Sequence, residues 1–211
     1  MRYGHWTVVA LLNSPWEGTT DFPWLRGARD ANVMRHLRFR TFPQAEYSMW
    51  VDGKHQLVVD PCTLFDQLLN QHGKAMAVFH HENQRCVFVE QNVIKGLGWT
   101  EGIPGYRQQI ADLSERYHRE GMPSEESGNP QGAYDLAIII SRHVGVANIT
   151  SCLAYSEIES FTSRNQLHYP YSLWRAQTKR FLHEAPNCAA WKYTRHVGHW
   201  SEHGGNFGLA L

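Results

Sequence analysis

The segment YSMWVDGK, residues 47–54, carries an apolar run into a carboxylate, Asp52, followed by a glycine and a lysine, Lys54. An extended run of this kind delivers its last residue to the carboxyl end of a strand, where α/β sheets gather ligands, and Gly53 suits a sharp turn beside it. Two carboxylates spaced Asp-x-Asp at such a place hold a divalent ion, Mn or Mg, that neutralises a departing diphosphate. Lys54 stands where the second carboxylate would be. Asp52 is then the metal-ligand candidate at this turn, and the lysine ammonium is an alternative source of positive charge. An Asp that only caps a β-turn is the competing structural reading.

Other segments add polar groups suited to phosphate and sugar. Arg35 and Arg38 are three apart and share a helix face, with Arg29 and Asn32 one to two turns earlier. Arginines near a ligand edge fork onto phosphate oxygens, although a solvated basic face gives the same pattern. FHHENQRCVFVEQ, residues 79–91, sets His81, Arg85 and Glu90 around a strand-to-helix junction; taken singly, each also reads as a surface ion-pair partner. IIISRH, residues 138–143, places Arg142 directly after a fully apolar run. In ESFTSRNQLHYPYSLWR, residues 159–175, Thr162 or Ser163 is suited to cap a helix whose first turn exposes Arg164, Asn165 and Gln166, a cluster fit for sugar hydroxyls. HVGHWSEH, residues 196–203, makes His199 a candidate metal ligand beside His196 and His203. No cysteine or carboxylate stands there at a recognised zinc spacing, and a compositional accident is the favoured reading.

Alternating strands and helices are needed to bring these groups together. Periodicity and turn residues predict strands over 7–12, 47–52, 55–59, 75–79 and 133–140, the third a short return strand after the Asp52 turn. Helices are predicted over 28–42, 62–71, 86–97, 104–119, 149–161 and 166–182, with Pro104 opening the fourth and Gly121 just past its end. Such alternation implies a mostly parallel sheet flanked by helices. The chain has 211 residues with 42% hydrophobic content, enough for one substantial core over 1–182, with a His-, Trp- and Gly-rich segment, 183–211, that reads as irregular. Twenty basic and twenty acidic residues balance to a formal charge of zero, which excludes a general nucleic-acid binder by overall field. The longest early apolar run is too short to span a membrane and no targeting segment is read, so a cytoplasmic location is expected. Cys62, Cys86, Cys152 and Cys188 form no CxxC pair and are expected as free thiols.

In chain order, FPQAEYSMWVDGK, HHENQRCVFVEQ, YHREGMP, IIISRH and SRNQLHYPYSLWR resemble the glycosyltransferase-like domain of the plant mucilage and turgor-defect type, a family with bacterial and phage relatives. The likeness covers residues 6–175. It implies a GT-A-like, Rossmann-like α/β fold, a nucleotide-sugar donor, a glycan or other acceptor, and Mn or Mg as the ion. Asp52, Arg164, Asn165 and Gln166 then take catalytic positions, and Arg35, Lys54 and Asp52 bind the donor. His81, Arg85, Glu90 and Arg142 contact substrate. The family pattern reads Arg-Asp-Gln where this chain has Arg164-Asn165-Gln166, and an amide takes no proton as a base. A carbohydrate- or nucleotide-binding module without turnover is therefore the second reading. The family also implies an upstream strand and helix completing the nucleotide pocket, after which this chain is expected to begin. An amide-hydrolase role in one branch gives a third reading, a metal-dependent hydrolase using His199.

Overall fold

The computed structural model describes residues 2–3, 6–7, 23–81, 86–124 and 132–196. In chain order the elements are β1 (Arg2–Tyr3), β2 (Trp6–Thr7), α1 (Pro23–His36), α2 (Arg38–Thr41), β3 (Tyr47–Val51), β4 (His55–Leu57) and α3 (Pro61–Phe65). A π-helical turn, Asp66–Asn70, prolongs α3. Then come β5 (Met76–His80), α4 (Val87–Gly96), α5 (Tyr106–Arg119), β6 (Tyr134–Arg142), α6 (Gly145–Ser160), α7 (Asn165–Arg175), β7 (Leu182–Ala185), α8 (Asn187–Tyr193) and β8 (Thr194–His196). Local chemistry sets several boundaries. Asp60 caps α3 by accepting from Cys62 N at 2.7 Å, with Pro61 at the first helical position. Along α5, Tyr106, Ile110, Leu113 and Tyr117 recur at helical spacing and are all buried. Gly121, at φ 84, lets Met122 N–H return to the Tyr117 carbonyl and close that helix. The expected strand over 7–12 lies outside the described residues beyond Thr7.

Four strands form the main sheet in the order β3-β6-β5-β7. A mostly parallel sheet was the expectation, and the structure corrects it. β6 lies antiparallel to both β3 and β5, and only β5 and β7 pair in parallel. β3, β5 and β7 nevertheless run in one direction; the reversal is confined to β6, which inserts between β3 and β5. β6 is buried on both faces from Leu136 to Ser141, so its composition carries no record of direction. Nor does β4 return along β3: it pairs with β8, near the other end of the chain. The predicted helix over 166–182 stops at Arg175, and Leu182–Ala185 becomes the edge strand β7. Within the segment read as irregular, β7 joins the main sheet and Ala189, Ala190 and Tyr193 pack against the cluster on one of its faces.

One face of the sheet packs Met76, Val78, Leu136, Ile139 and Leu182 beneath α6 and α7, around Ala147, Ala154, Tyr169 and Leu173. The opposite face packs Ala77, Phe79, Ile138 and Ile140 beneath Leu64, Leu68 and Leu69. A third cluster joins α4, α5 and α7 through Val87, Ile94, Ile110, Leu113, Leu167 and Tyr171. No described helix is long and apolar enough to cross a membrane.

Candidate functional site

β3 delivers Asp52 to the sheet edge at which β3, β5 and β7 end and β6 begins. The backbone fixes it there: Asp52 N donates to the Ala137 carbonyl at 2.8 Å, and His55 N closes the turn onto the Asp52 carbonyl at 2.9 Å. Gly53 does not adopt a left-handed φ, and a Cβ on it would meet nothing within 4 Å, so this turn does not require a glycine. Trp50 and Asp52 are two apart on an extended chain and share a face. The indole Nε1 donates to Asp52 Oδ1 at 2.6 Å.

Arg35, in the last turn of α1, reaches the same oxygen at 2.5 Å through Nη2 and lies 4.6 Å over the Trp50 ring. Lys54 Nζ stands 3.9 Å from the other carboxylate oxygen. Burial pulls the Arg35 guanidinium below its ordinary pKa, Asp52 opposes that by charge and hydrogen bond, Asp135 adds to the opposition, and Arg164 lowers it further. The site thus sets three cations, Arg35, Lys54 and Arg164, against two carboxylates, Asp52 and Asp135. Asp135 is held in place by accepting from Ala137 N at 3.0 Å, in the irregular start of β6 where the pairing with β5 shifts register.

Asn32 links this cluster to α7. Its Oδ1 accepts from Arg35 Nη1 at 3.2 Å and from Asn165 Nδ2 at 3.5 Å, while its own Nδ2 donates to the Ser163 carbonyl at 3.0 Å. Two sequence expectations change here. Asn165 is buried against Asn32 rather than displayed to solvent, because α7 enters the core at this turn. Neither Thr162 nor Ser163 caps α7: Arg164 occupies the N-cap without a side-chain bond, and Thr162 Oγ1 accepts from Arg164 N at 3.3 Å. Gln166 is half-buried.

Two further side chains aim these elements. Arg38, read from sequence as part of a basic face, is buried; it donates to Ser48 Oγ at 2.6 Å, to Ser141 Oγ at 2.5 Å and to the Arg35 carbonyl. It therefore pins the end of α1, and Arg35 with it, to β3 and β6. Burial is the main reason its pKa falls to about 10. His168 is enclosed between Tyr117 Oη at 3.0 Å and Thr162, whose carbonyl lies 2.9 Å from Nε2. It fixes the loop that carries Ser163 and Arg164.

Burial drives the His168 pKa down to about 3; the Thr162 carbonyl opposes this, and Arg116 adds to it. His36, also buried, is held well below its ordinary value by burial and by Arg35 and Arg38. Between the ordinary histidine value of 6.5 and about 3, the unfolded chain binds a proton at His168 that the folded chain refuses. Stability from His168 is therefore complete above pH 6.5 and lost as pH falls below it. The thermal midpoint is expected to drop between about pH 7 and pH 5, with each such histidine contributing up to about 1.4 kcal/mol per pH unit. His168→Gln should make that slope shallower; an unchanged slope by calorimetry would count against this assignment.

Not every expected residue joins the edge. Arg142 is a correction: at the far end of β6, it pairs opposite Tyr47 and donates to Tyr47 Oη at 2.9 Å and Asn70 Oδ1 at 2.5 Å. Antiparallel pairing put the carboxyl end of β6 at the pole away from Asp52. His81 does lie at the Asp52 edge, following β5, with its N–H on the Ala133 carbonyl at 3.2 Å. Glu90 is buried in the first turn of α4. Arg85, His199 and His203 lie outside the described residues. Sequence reading missed Trp50 and Asp135. The two-residue spacing from Asp52 marks Trp50, whereas only the pairing of β3 with β6 brings Asp135 in.

A divalent ion does not fit the donors at Asp52. Oδ1 already accepts two hydrogen bonds, and the Lys54 ammonium faces Oδ2, so both carboxylate oxygens are engaged by positive or donor groups. The local charge suits an anion instead.

Residues 1–199 match the family described as TOD1/MUCI70, glycosyltransferase-like domain. The chain is 30% identical over 176 residues to a protein of Arabidopsis thaliana named probable hexosyltransferase MUCI70, covering 80% of this chain and 27% of that one. It is 28% identical over 175 residues to a second Arabidopsis thaliana protein, named alkaline ceramidase TOD1, covering 81% of this chain and 35% of the relative. The chain therefore spans only about a quarter to a third of the length of these relatives. No solved structure matches.

Proposed function

The chain belongs to the TOD1/MUCI70 glycosyltransferase-like domain family, and from that premise we propose that it transfers a sugar from a nucleotide-sugar donor to a hydroxyl acceptor at the Asp52 edge. The observation that carries the reading is the excess of positive charge around a fixed, partly buried Arg35, where a diphosphate leaving group needs neutralising. Arg35, Lys54 and Arg164 supply that charge. Asp52 and Trp50 hold the guanidinium in position, so that stabilisation of the leaving group comes from preorganised side chains. In the transfer, the acceptor oxygen forms a bond to the anomeric carbon as the bond from that carbon to the phosphate oxygen breaks. The acceptor proton goes to a carboxylate; with Asn165 an amide and Asp52 held by two hydrogen bonds and faced by Lys54, Asp135 is the residue we assign to that role. A GT-A-like arrangement is part of this proposal, supported by three strands of common direction ending at one edge.

Incubation with a panel of nucleotide sugars tests it. Hydrolysis or transfer of at least one donor is expected, unchanged by EDTA or added Mn. Neither binding nor turnover of any donor would sink the proposal. Asn165→Asp separates a silent binding module from a transferase. Since Asn165 is buried on Asn32, the variant should gain no activity. Saturable binding without turnover in the natural chain, and turnover appearing in the variant, would favour the module. The relative named a ceramidase keeps a hydrolase reading in view. Stoichiometric zinc, lost with amide hydrolysis in His199→Ala, would favour that reading over sugar transfer.

A further inference from the structure

Cations that the proposed reaction does not use gather at the pole of the sheet away from Asp52. There α7 ends at Arg175, the chain turns through Gln177, and a 3₁₀ turn, Lys179–Phe181, feeds β7. These segments border an open surface groove of about 340 Å³ lined by Leu173, Trp174, Arg175, Gln177, Lys179 and Arg180. Half of the wall residues are cations and none is a carboxylate. Neither Arg175 nor Arg180 forms a salt bridge among the described residues, although Arg175 is close enough to the Glu120 carboxylate to help lower its pKa, and Lys179 stays 3.7 Å from Glu184. Lys74 adds a fourth positive charge to the same turn, its Nζ donating to the Arg180 carbonyl at 2.7 Å. In a chain whose formal charge is zero, such segregation creates a local field that attracts anions.

A second observation is independent of charge. Gln177, at φ 55, is the only non-glycine residue with positive φ among the described residues. It occupies the position that ends α7, where Thr178 N–H bonds to the Leu173 carbonyl at 2.9 Å and Gln177 N–H to the Trp174 carbonyl at 3.0 Å. Glycine fills this left-handed position without steric cost. This helix cap sets the exposed Gln177 in the wall of the groove beside the half-buried Trp174, where its amide can meet a ligand.

We propose that this groove is a second binding site, for a sugar carrying an anionic oxygen group. The part of the Trp174 indole that reaches the groove gives a pyranose ring an apolar surface, the Gln177 amide suits hydroxyls, and the arginine forks match a carboxylate or phosphate. Single-stranded nucleic acid would use the same side chains, but it binds along a succession of aromatic platforms, and Trp174 is the sole aromatic residue in the wall. The site does not depend on the transferase reading.

Titration of the full chain with glucuronate, glucose 6-phosphate, glucose, inorganic phosphate and an oligonucleotide, followed by ligand-observed NMR, tests it. A charged sugar should bind at least about tenfold more tightly than glucose or phosphate, and the tighter of the two charged sugars identifies the anion. Arg175→Gln with Arg180→Gln should lose about tenfold in that affinity, while Asp52→Asn should leave it unchanged. Gln177→Gly is the sharpest arm: relief of the backbone strain should raise the thermal midpoint while sugar affinity falls. Binding of phosphate or the oligonucleotide as tight as that of the charged sugars would overturn the proposal. So would unchanged sugar binding in a folded double arginine variant, or no binding of any sugar.

Discussion

Asp52→Ala is expected to lower nucleotide-sugar turnover by about a hundredfold or more, the loss typical when one preorganised electrostatic contact is removed. The carboxylate is the shared acceptor of Arg35 and Trp50, so its loss frees a guanidinium that is only 12% exposed. Leaving a buried charge without its partner costs several kcal/mol; with Asp52 itself 26% exposed, solvent screening brings the expected stability loss to about 1–3 kcal/mol. Asp52→Asn distinguishes the roles this residue can play. The amide oxygen still accepts from Arg35 and Trp50, so an orienting role predicts a deficit nearer tenfold and a small change in thermal midpoint. A metal-ligand role predicts that asparagine is as poor as alanine, and that Mn changes the wild-type rate. Alanine activity within about threefold of wild type would remove Asp52 from the mechanism.

The largest stability effect is expected at a residue far less conspicuous in the sequence. Arg116, on α5, forms two hydrogen bonds of 2.9 Å with Glu157 on α6, one of 2.8 Å with Glu120, and one of 2.9 Å with the Tyr171 hydroxyl on α7. Burial, the largest single influence, lowers its pKa, but Glu157 and Glu120 outweigh burial and raise it above the ordinary arginine value. Tyr171 also donates to Glu120 at 2.6 Å and stacks on Tyr117 at 4.1 Å. One guanidinium thus ties three helices together. Arg116→Met leaves Glu157, 7% exposed, without its partner and should cost about 3 kcal/mol. The thermal midpoint should then fall by about 6–12 °C for a chain of this size. Pairing the change with Glu157→Gln in a double-mutant cycle should show strong coupling. A shift below about 2 °C would show that the network is screened by water.

Some of this architecture was legible in advance because it is local. Amphipathic spacing gave α5, a long apolar run gave β6, and an apolar strand ending in Asp-Gly-Lys placed Asp52 at a strand end. The three-residue spacing of Asn32 and Arg35 put both on one face of α1, where they share a hydrogen bond. Other features exist only through partners distant in sequence. β7 is four residues, Leu182–Ala185, with no pattern of its own; parallel pairing with β5 makes it a strand. Arg142 follows an apolar strand in the sequence as plausibly as Asp52 does, yet the reversed direction of β6 sends the two to opposite poles.

By itself, then, the sequence determined the α/β class, most helices, and the proximity of Asp52 to Lys54, because hydrophobic period and turn chemistry act over a few residues. The tertiary structure alone decided the direction of β6, the burial of Asn165 and Arg38, and the closure of Arg35 onto Asp52. It also brought three cations, Arg35, Lys54 and Arg164, to the same edge as two carboxylates, Asp52 and Asp135. Pairing direction, burial and charge balance are set by contacts across tens to more than a hundred residues, and no local pattern encodes them.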